Sequence, residues 1–341
     1  MSRSRILSAR AVLAGDRLAL ARLLTEVEND TPAGQATLDE IYPHSGAAHL
    51  VGITGAPGTG KSSLVNQLAR AFRRRNPPRT VGILAVDPTS PFTGGAILGD
   101  RLRMRDLAGD PGIFIRSMAA RGTLGGLSGT TAAAARCLDA AGVDLVLIET
   151  VGAGQSEVDI ARLAYTTLVV EAPGLGDDIQ AIKAGILEIA DILVINKADR
   201  PGVENTERAL RNMLEFGHPT RRLETTLGHH DQTGPQTPLQ SGDFWLPPVL
   251  KTIATGEVGI AAVADAIEQH AAHLQASGEL EERRRLRLRD EVQHLLLNAL
   301  HTRWQESGGS ERMQQVLQSV YDRQVSPAQA AQRLAAAVEA R

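Results

Sequence analysis

Residues 55–62 read GAPGTGKS and match the pattern G-x-x-x-x-G-K-[ST]. The apolar stretch HLVGITG precedes the pattern and SSLVNQLARAF follows it, so a strand should enter the glycine-rich turn and a helix should leave it. The glycines let consecutive N–H groups converge on phosphate oxygens, while Lys61 would reach the β- and γ-phosphates and the Ser62 hydroxyl would bind Mg²⁺. The sequence therefore predicts a phosphate-binding loop. Its nucleotide contacts are expected from Gly55, Ala56, Pro57, Gly58, Thr59, Gly60, Lys61, Ser62 and Ser63.

A second motif, NKAD at residues 196–199, follows the apolar stretch DILVI. The Asp199 carboxylate can accept hydrogen bonds from the ring N–H and the exocyclic amino group of guanine, a donor pair that adenine lacks. Asn196 could contact the guanine edge, and the stem of Lys197 could lie over the base. A third segment ends the last candidate strand, where a backbone N–H could reach guanine O6, and consists of Thr252, Ile253 and Ala254. Together these features predict GTP and GDP as ligands in preference to ATP.

Carboxylates mark the ends of further segments. Glu149 lies at the end of DLVLIET, Asp87 ends TVGILAVD, and Asp100 ends the glycine-rich FTGGAILGD. Negatively charged side chains must lie close to Mg²⁺ and to the attacking water, and some carboxylates can contact the metal through bound water. A turn or helix-capping role is the alternative for Asp100. The predicted metal-site residues are Ser62, Asp87, Asp100 and Glu149.

The loop after Glu149 reads VGAGQSE and is expected to respond to the γ-phosphate, with Gly152 supplying the sensing N–H. No residue stands out as a general base. Gln155 lies three residues beyond Gly152, and packing in the turn is an equal alternative for its side chain. We expect in-line attack by water, slow in the isolated protein and faster when a partner orders the loops.

These motifs need a scaffold that brings the ends of several strands together. Apolar stretches alternate with helical segments between residues 47 and 270, which predicts an α/β fold: a P-loop NTPase parallel sheet covered by helices on both faces. Functional loops of such sheets lie beyond the carboxyl ends of the strands, where the polar motifs fall. The candidate strands are residues 49–55, 80–87, 112–118, 144–150, 166–172, 191–199 and 245–254.

Helical extensions are predicted on both sides of this domain. Residues 1–46 carry leucines at helical spacing, and residues 271–341 contain the long segment ELEERRRLRLRDEVQHLLLNALHTRW. The basic run at residues 283–289 is expected to pair with glutamates one turn before it. Residues 227–248 are rich in glycine, proline and glutamine and predict a surface loop. The pair His229–His230 in this loop is interpreted as solvated, with metal binding as the alternative.

The 341-residue chain has a net charge of -3, with 43% hydrophobic and 22% charged residues, values that are ordinary for a soluble globular protein. Neither a basic field nor the aromatic content of 3% points to nucleic acid. The single Cys137 cannot form an internal disulfide, so we expect a reducing compartment and a buried thiol. No stretch suits a signal peptide or a membrane span, and we therefore predict a cytoplasmic location.

Together the motifs resemble the metallochaperone-type branch of P-loop GTPases, which has glutamate in the Walker-B position held here by Glu149. Within that branch the chain is similar, over nearly its whole length, to the methylmalonyl-CoA mutase-associated GTPase family, bacterial relatives of the protein defective in one type of methylmalonic aciduria. The narrowest matches are VDPTSP, ETVGAGQSE and PGLGDDIQAIKAG. Further matching stretches are GITGAPGTGKSSL, RGTLGG, NKAD, WLPPVL and ELEERRR.

The resemblance implies a homodimeric GTPase that acts as chaperone of an adenosylcobalamin-dependent acyl-CoA mutase, above all methylmalonyl-CoA mutase. Family members gate the transfer of adenosylcobalamin from a cobalamin adenosyltransferase, protect or reactivate the mutase, and hydrolyse GTP faster in its presence. Helical arms flank their G domain, which would make residues 271–341 a dimerisation arm. Residues 171–185 correspond to an additional switch of the family, in which Lys183 is implied to affect stimulated hydrolysis. The implied catalytic set is Lys61, Asp87, Asp100, Glu149 and Lys183.

The sequence is also compatible with other functions. Glu171 stands where the family pattern predicts an apolar or small residue, and residues 127–142 are also atypical, so the client could be isobutyryl-CoA or 2-hydroxyisobutyryl-CoA mutase. A nickel-insertion GTPase of the same superfamily is a rival, although such proteins use Cys and His ligands and this chain has one cysteine. A kinase would need an acceptor site and usually ATP, and a nucleotide sensor would bind GTP without hydrolysing it.

Overall fold

The computed structural model describes residues 7–88, 105–107, 109–120, 128–150, 156–174, 188–216 and 244–339. The chain divides into two compact units, Met1–Arg287 and Leu288–Arg341. A parallel sheet forms the centre of the first unit, and the described part of the second consists of helices and their connections. Within the described ranges, no helix has both the length and the apolar character needed to cross a membrane.

The sheet has seven strands in the order β3-β2-β4-β1-β5-β6-β7, and each pairing is parallel. Its strands are β1 His49–Thr54, β2 Val81–Pro88, β3 Ile113–Ala120, β4 Leu145–Thr150, β5 Thr166–Glu171, β6 Ile192–Ile195 and β7 Val249–Lys251. Strands β2, β3 and β4 lie on one side of β1 in the sheet, and strands β5, β6 and β7 lie on the other side. The carboxyl end of β1 therefore lies at the point where the strand order reverses, which is where such folds bind ligands.

Helices complete both units. In the first unit they are α1 Ala9–Leu13, α2 Arg17–Glu28, α3 Pro32–Ile41, α4 Lys61–Arg73, α5 Ser128–Ala140, α6 Ser156–Leu163, α7 Val203–Phe216 and α8 Ile260–Ser277. Helix α9, Glu279–Glu306, begins in the first unit, and α10 Gly309–Tyr321 and α11 Pro327–Glu339 belong to the second. Three-residue 3-10 helices span Tyr42–His44, Arg105–Leu107 and Ala254–Gly256.

Apolar side chains fill the space on both faces of the sheet, which confirms the predicted fold class. On one face Leu64 and Phe72 of α4 pack with Ile267 of α8. On the other face α5 and α6 pack with the N-terminal helices, as Leu24 and Cys137 illustrate. Burial raises the pKa of the Cys137 thiol to about 12, so the thiol stays protonated and inert, as its predicted packing role requires.

A buried polar network lies at the amino ends of β1, β5 and β6, opposite the edge that carries the nucleotide motifs. Asp191 is 2% exposed, and its Oδ1 lies 3.3 Å from Arg283 Nη2 and 3.4 Å from His270 Nε2. His270 Nδ1 is 2.8 Å from Thr166 Oγ1, which is 2.7 Å from His49 Nε2. The network therefore joins the first turns of α9 to three strands and to α8.

Acid should weaken the fold through His49. Burial lowers the pKa of His49 from 6.5 to about 4, with Asp191 opposing the shift and Arg283 and Arg284 adding to it. An unfolded His49 takes up a proton near pH 6.5 and the folded one only near pH 4, so stability is lost as the pH falls through this window. We expect the free energy of unfolding to be about 2 kcal/mol lower at pH 5 than at pH 7 because of this residue.

Urea unfolding across that pH range measures the effect. A His49→Gln variant keeps a neutral donor for Thr166 but cannot take up the proton, so its stability should change less between the two pH values. An equally steep loss in this variant would assign the pH dependence to other groups.

The described helices of the second unit leave many apolar side chains in solvent. Helices α10 and α11 pack against each other. Leu295, Leu296 and Leu297 of α9 are 54%, 56% and 65% exposed, and Tyr321 at the end of α10 is 84% exposed. Exposed apolar surface of this kind is typical of helices that pack against another chain.

Candidate nucleotide-binding and hydrolysis site

The glycine-rich loop connects β1 to α4 at the carboxyl edge of the sheet, as the motif predicted. Lys61 is the first residue of α4 and is only 6% exposed. Its Nζ donates hydrogen bonds to the carbonyl oxygens of Gly55, at 2.8 Å, and Ala56, at 3.1 Å. The ammonium group therefore lies across its own loop, where phosphate oxygens of a bound nucleotide would replace the two carbonyl acceptors.

The structure brings Ser62 and Glu149 into direct contact. Glu149 lies near the end of β4, next to β1 in the sheet, where it is the register partner of Ile53. Its buried carboxylate accepts a hydrogen bond from Ser62 Oγ at 2.6 Å. Such a short O–H···O⁻ distance is typical of a charge-assisted hydrogen bond. A hydroxyl and a carboxylate side by side are the hard oxygen donors that suit Mg²⁺, so this pair fits the predicted metal site.

The backbone of β2 places Asp87 at the same edge of the sheet. In the register between β2 and β4, Ala85 pairs with Glu149, and Asp87 lies two residues further towards the carboxyl ends. The predicted roles of three other residues stay predictions because these residues lie outside the described ranges: Asp100, Gly152 and Lys183.

Asn196 is buried behind the phosphate-binding loop. Its Nδ2 donates to the carbonyl oxygen of Thr59 at 2.8 Å, and its Oδ1 accepts from Thr252 Oγ1 and from the Ala254 N–H, both at 3.1 Å. Both polar atoms of the amide thus bind protein groups, and the predicted contact of Asn196 with the guanine edge stays a prediction. Asn196 ties the phosphate-binding loop to the segment at residues 252–254.

Removing this tie should weaken both nucleotide binding and the fold. An Asn196→Ala variant loses three buried hydrogen bonds and leaves their partners unsatisfied, so we expect unfolding to become about 3 kcal/mol easier and GDP affinity to fall about tenfold or more. Titration with a fluorescent GDP analogue and thermal unfolding measure the two effects. Asn205→Ala, an exposed change on α7, is the matched control. Parent-like affinity in Asn196→Ala would show that the tie does not shape the site.

The segment formed by Thr252, Ile253 and Ala254 has its backbone donors engaged within the protein. Its three N–H groups donate to Ile195 O, to Val258 O and to Asn196 Oδ1, respectively, so none is available for guanine O6. The next residue, Thr255, is exposed, and its N–H has no acceptor among the described residues. Thr255 is therefore the backbone donor of this turn that remains available to the base. The position of this donor follows from the 3-10 turn at Ala254–Gly256, which residue types alone do not predict.

The two charged residues of the NKAD motif, Lys197 and Asp199, lie at the mouth of the site. Lys197 has a φ of 58°, and its Nζ donates to Gly58 O at 2.5 Å, so its side chain crosses from the β6 loop to the phosphate-binding loop. Asp199 is exposed on the loop after β6. Its carboxylate is therefore accessible to a base, as its predicted role in guanine recognition requires.

Known proteins are similar to this chain in sequence and fold. Residues 20–308 match the family model described as Methylmalonyl Co-A mutase-associated GTPase MeaB. A Pyrococcus abyssi protein whose name calls it a GTPase is 44% identical over 317 residues, which cover 93% of this chain and 91% of the relative. The Methylmalonic aciduria type A homolog, mitochondrial, of Caenorhabditis briggsae is 32% identical over 290 residues, 80% of this chain and 65% of the relative. A crystal structure of LAO/AO transport system kinase superposes with a TM-score of 0.65 and 27% identity, covering 99% of both chains.

Proposed function

Because the chain belongs to the family of methylmalonyl-CoA mutase-associated GTPases, we propose that it hydrolyses GTP as the chaperone of an adenosylcobalamin-dependent acyl-CoA mutase, with methylmalonyl-CoA mutase as the client. The family match over residues 20–308 is the observation that carries this proposal. The name of the Caenorhabditis briggsae relative supports it, because that name refers to methylmalonic aciduria. In this proposal the protein gates adenosylcobalamin transfer from a cobalamin adenosyltransferase and protects or reactivates the mutase.

The geometry supports a hydrolysis mechanism based on positioned charge. Ser62, with the carboxylates of Asp87, Asp100 and Glu149, would hold Mg²⁺, which neutralises charge on the phosphate oxygens when bound. Lys61 would leave the carbonyls of Gly55 and Ala56 and bind the β- and γ-phosphates. Glu149 would keep its carboxylate beside Ser62 at the edge where water attacks the γ-phosphoryl group in line.

Slow hydrolysis in the isolated protein is part of the proposal. Bound nucleotide would release the Lys61 ammonium from two backbone carbonyls, and the loops around the γ-phosphate would then still have to be ordered. We propose that the client mutase orders the loop around Gly152 and the segment at residues 171–185, through which Lys183 affects stimulated hydrolysis. Binding energy from the partner would then be used to complete the site.

A homodimer is part of the proposal. The exposed leucines of α9 and the exposed Tyr321 of α10 are apolar surface that a second copy of the chain would cover. We propose a cytoplasmic location, which suits the buried free thiol of Cys137. Isobutyryl-CoA mutase, 2-hydroxyisobutyryl-CoA mutase and a nickel enzyme are the other clients that an experiment should be able to detect.

Capture from native extract tests the choice of client. The full-length protein, loaded with a non-hydrolysable GTP analogue, should retain an acyl-CoA mutase that mass spectrometry identifies. A Lys61→Ala bait, which should not bind the analogue, should lose the mutase. Capture of a nickel enzyme in place of any mutase would contradict the proposal, as would retention of the same mutase by both baits.

A further inference from the structure

Two threonine hydroxyls meet in the core at the carboxyl ends of β1 and β4. Thr54 directly precedes Gly55 of the phosphate-binding loop, and Thr150 directly follows Glu149. Their side chains are 0% and 1% exposed, and Thr150 Oγ1 donates to Thr54 Oγ1 at 3.3 Å. Ile148, two residues before Thr150 in β4, belongs to the apolar core. Apolar packing alone would be satisfied by valine, so the hydroxyls need another explanation.

The pair lies on the face of the sheet opposite Ser62. Consecutive strand residues point to opposite faces, and Glu149 contacts Ser62 on the face covered by α4. Thr150 therefore points to the face covered by α6, where it meets Thr54. The end of β4 is thus bonded on both faces to residues that flank the phosphate-binding loop. Thr54 comes just before the loop's first glycine, and Ser62 comes just after its lysine.

The hydroxyl pair also carries more donors than it uses internally. Two hydroxyls have two protons, and the bond between them uses one. Neither oxygen donates to any other acceptor among the described residues. A buried donor that is not fully used costs stability, so stability does not account for the pair.

We propose that Thr54 and Thr150 are positioning residues for GTP hydrolysis. Their hydrogen bond holds the Glu149 carboxylate in its position beside the phosphate-binding loop. Both are buried, and they act through Glu149. Hydrolysis rates are sensitive to small displacements of charged groups around the reacting atoms, whereas nucleotide affinity depends mainly on the loop backbone and Lys61. The proposal rests on the GTPase activity of the family and is independent of which mutase is the client.

Hydroxyl deletion with the shape preserved tests the proposal. Thr54→Val, Thr150→Val and the double variant are compared with the parent chain in single-turnover hydrolysis of GTP with Mg²⁺. Each single variant should be slower by about fivefold to tenfold, the effect expected for one misplaced hydrogen bond. The double variant should be no slower than the slower single one, because the two groups act as a unit. GTP and GDP affinities should stay within about twofold of the parent.

Thr167→Val is the matched control, because Thr167 is also buried but lies at the amino end of β5, so its rate should equal the parent rate. Single variants as fast as the parent, or effects that multiply in the double variant, would overturn the proposal. If a valine variant fails to fold, Thr150→Ser and Thr150→Ala decide, since only serine keeps the hydroxyl. Equal rates for these two would overturn it as well. A parent chain that does not hydrolyse GTP would instead contradict the GTPase activity itself.

Discussion

Replacing Glu149 by glutamine is expected to slow GTP hydrolysis by about 100-fold or more and to change nucleotide affinity by less than about threefold. The amide preserves the shape of the side chain and can still accept the hydrogen bond from Ser62. It lacks the negative charge that the metal site and the attacking water require. Single-turnover hydrolysis and a nucleotide titration on the same preparation measure the two quantities.

Two further variants serve as comparisons for Glu149→Gln. Lys61→Ala should lose nucleotide affinity, because the ammonium group contacts the phosphates directly. Glu207→Gln changes a carboxylate on α7 that pairs with Lys251 and Arg211 outside the site, so its hydrolysis rate should match the parent. A loss of affinity in Glu149→Gln as large as that in Lys61→Ala would show that Glu149 serves binding and not hydrolysis.

Gly55→Ala should be the most damaging change to the fold of the phosphate-binding loop. Gly55 has a φ of 133°, and a Cβ there would lie 2.0 Å from the carbonyl oxygen of Val170 on the neighbouring strand β5. Because backbone and not a flexible side chain occupies that space, β1 and β5 would have to separate. We expect a loss of about 3 kcal/mol or more in the free energy of unfolding, or about 5 °C in melting temperature.

Gly58 is the matched control within the same loop. It also has a positive φ, of 83°, but a Cβ there would have nothing within 4 Å. Gly58→Ala should therefore cost only backbone strain, about 1 kcal/mol, when the nucleotide-free proteins are compared by calorimetry. Equal destabilisation by the two substitutions would mean that the approach of Val170 does not matter.

The sheet could be predicted because its strands are short apolar runs followed by polar motifs. Few arrangements other than a parallel sheet covered on both faces produce this pattern. Strand ends were less predictable. The last candidate strand was expected at residues 245–254, but β7 covers only Val249–Lys251. Two prolines precede β7 and cannot donate to the sheet, and the indole of Trp245 donates to Asp191 O. Tertiary contacts therefore decided this boundary.

The candidate site was also predictable only in part. The residue types of the phosphate-binding loop, of NKAD and at Glu149 indicated a GTPase, the class to which the matching family belongs. The contacts of Asn196 could not be predicted, because they join residues 59, 196, 252 and 254, which only the folded sheet brings together. Arg283 was expected to pair with glutamates of its own helix, and it also binds Asp191, a partner 92 residues away in the sequence. The pairing of Thr54 with Thr150 likewise follows from sheet register and not from any motif.

We propose above all that GTP hydrolysis by this chain serves an adenosylcobalamin-dependent mutase. The most direct test is steady-state hydrolysis of GTP, with Mg²⁺, by the full-length protein with and without purified methylmalonyl-CoA mutase from the same organism. We expect a low rate for the protein alone, acceleration of about tenfold or more at saturating mutase, and no comparable activity with ATP. A hydrolysis rate that saturating mutase leaves unchanged would contradict the claim.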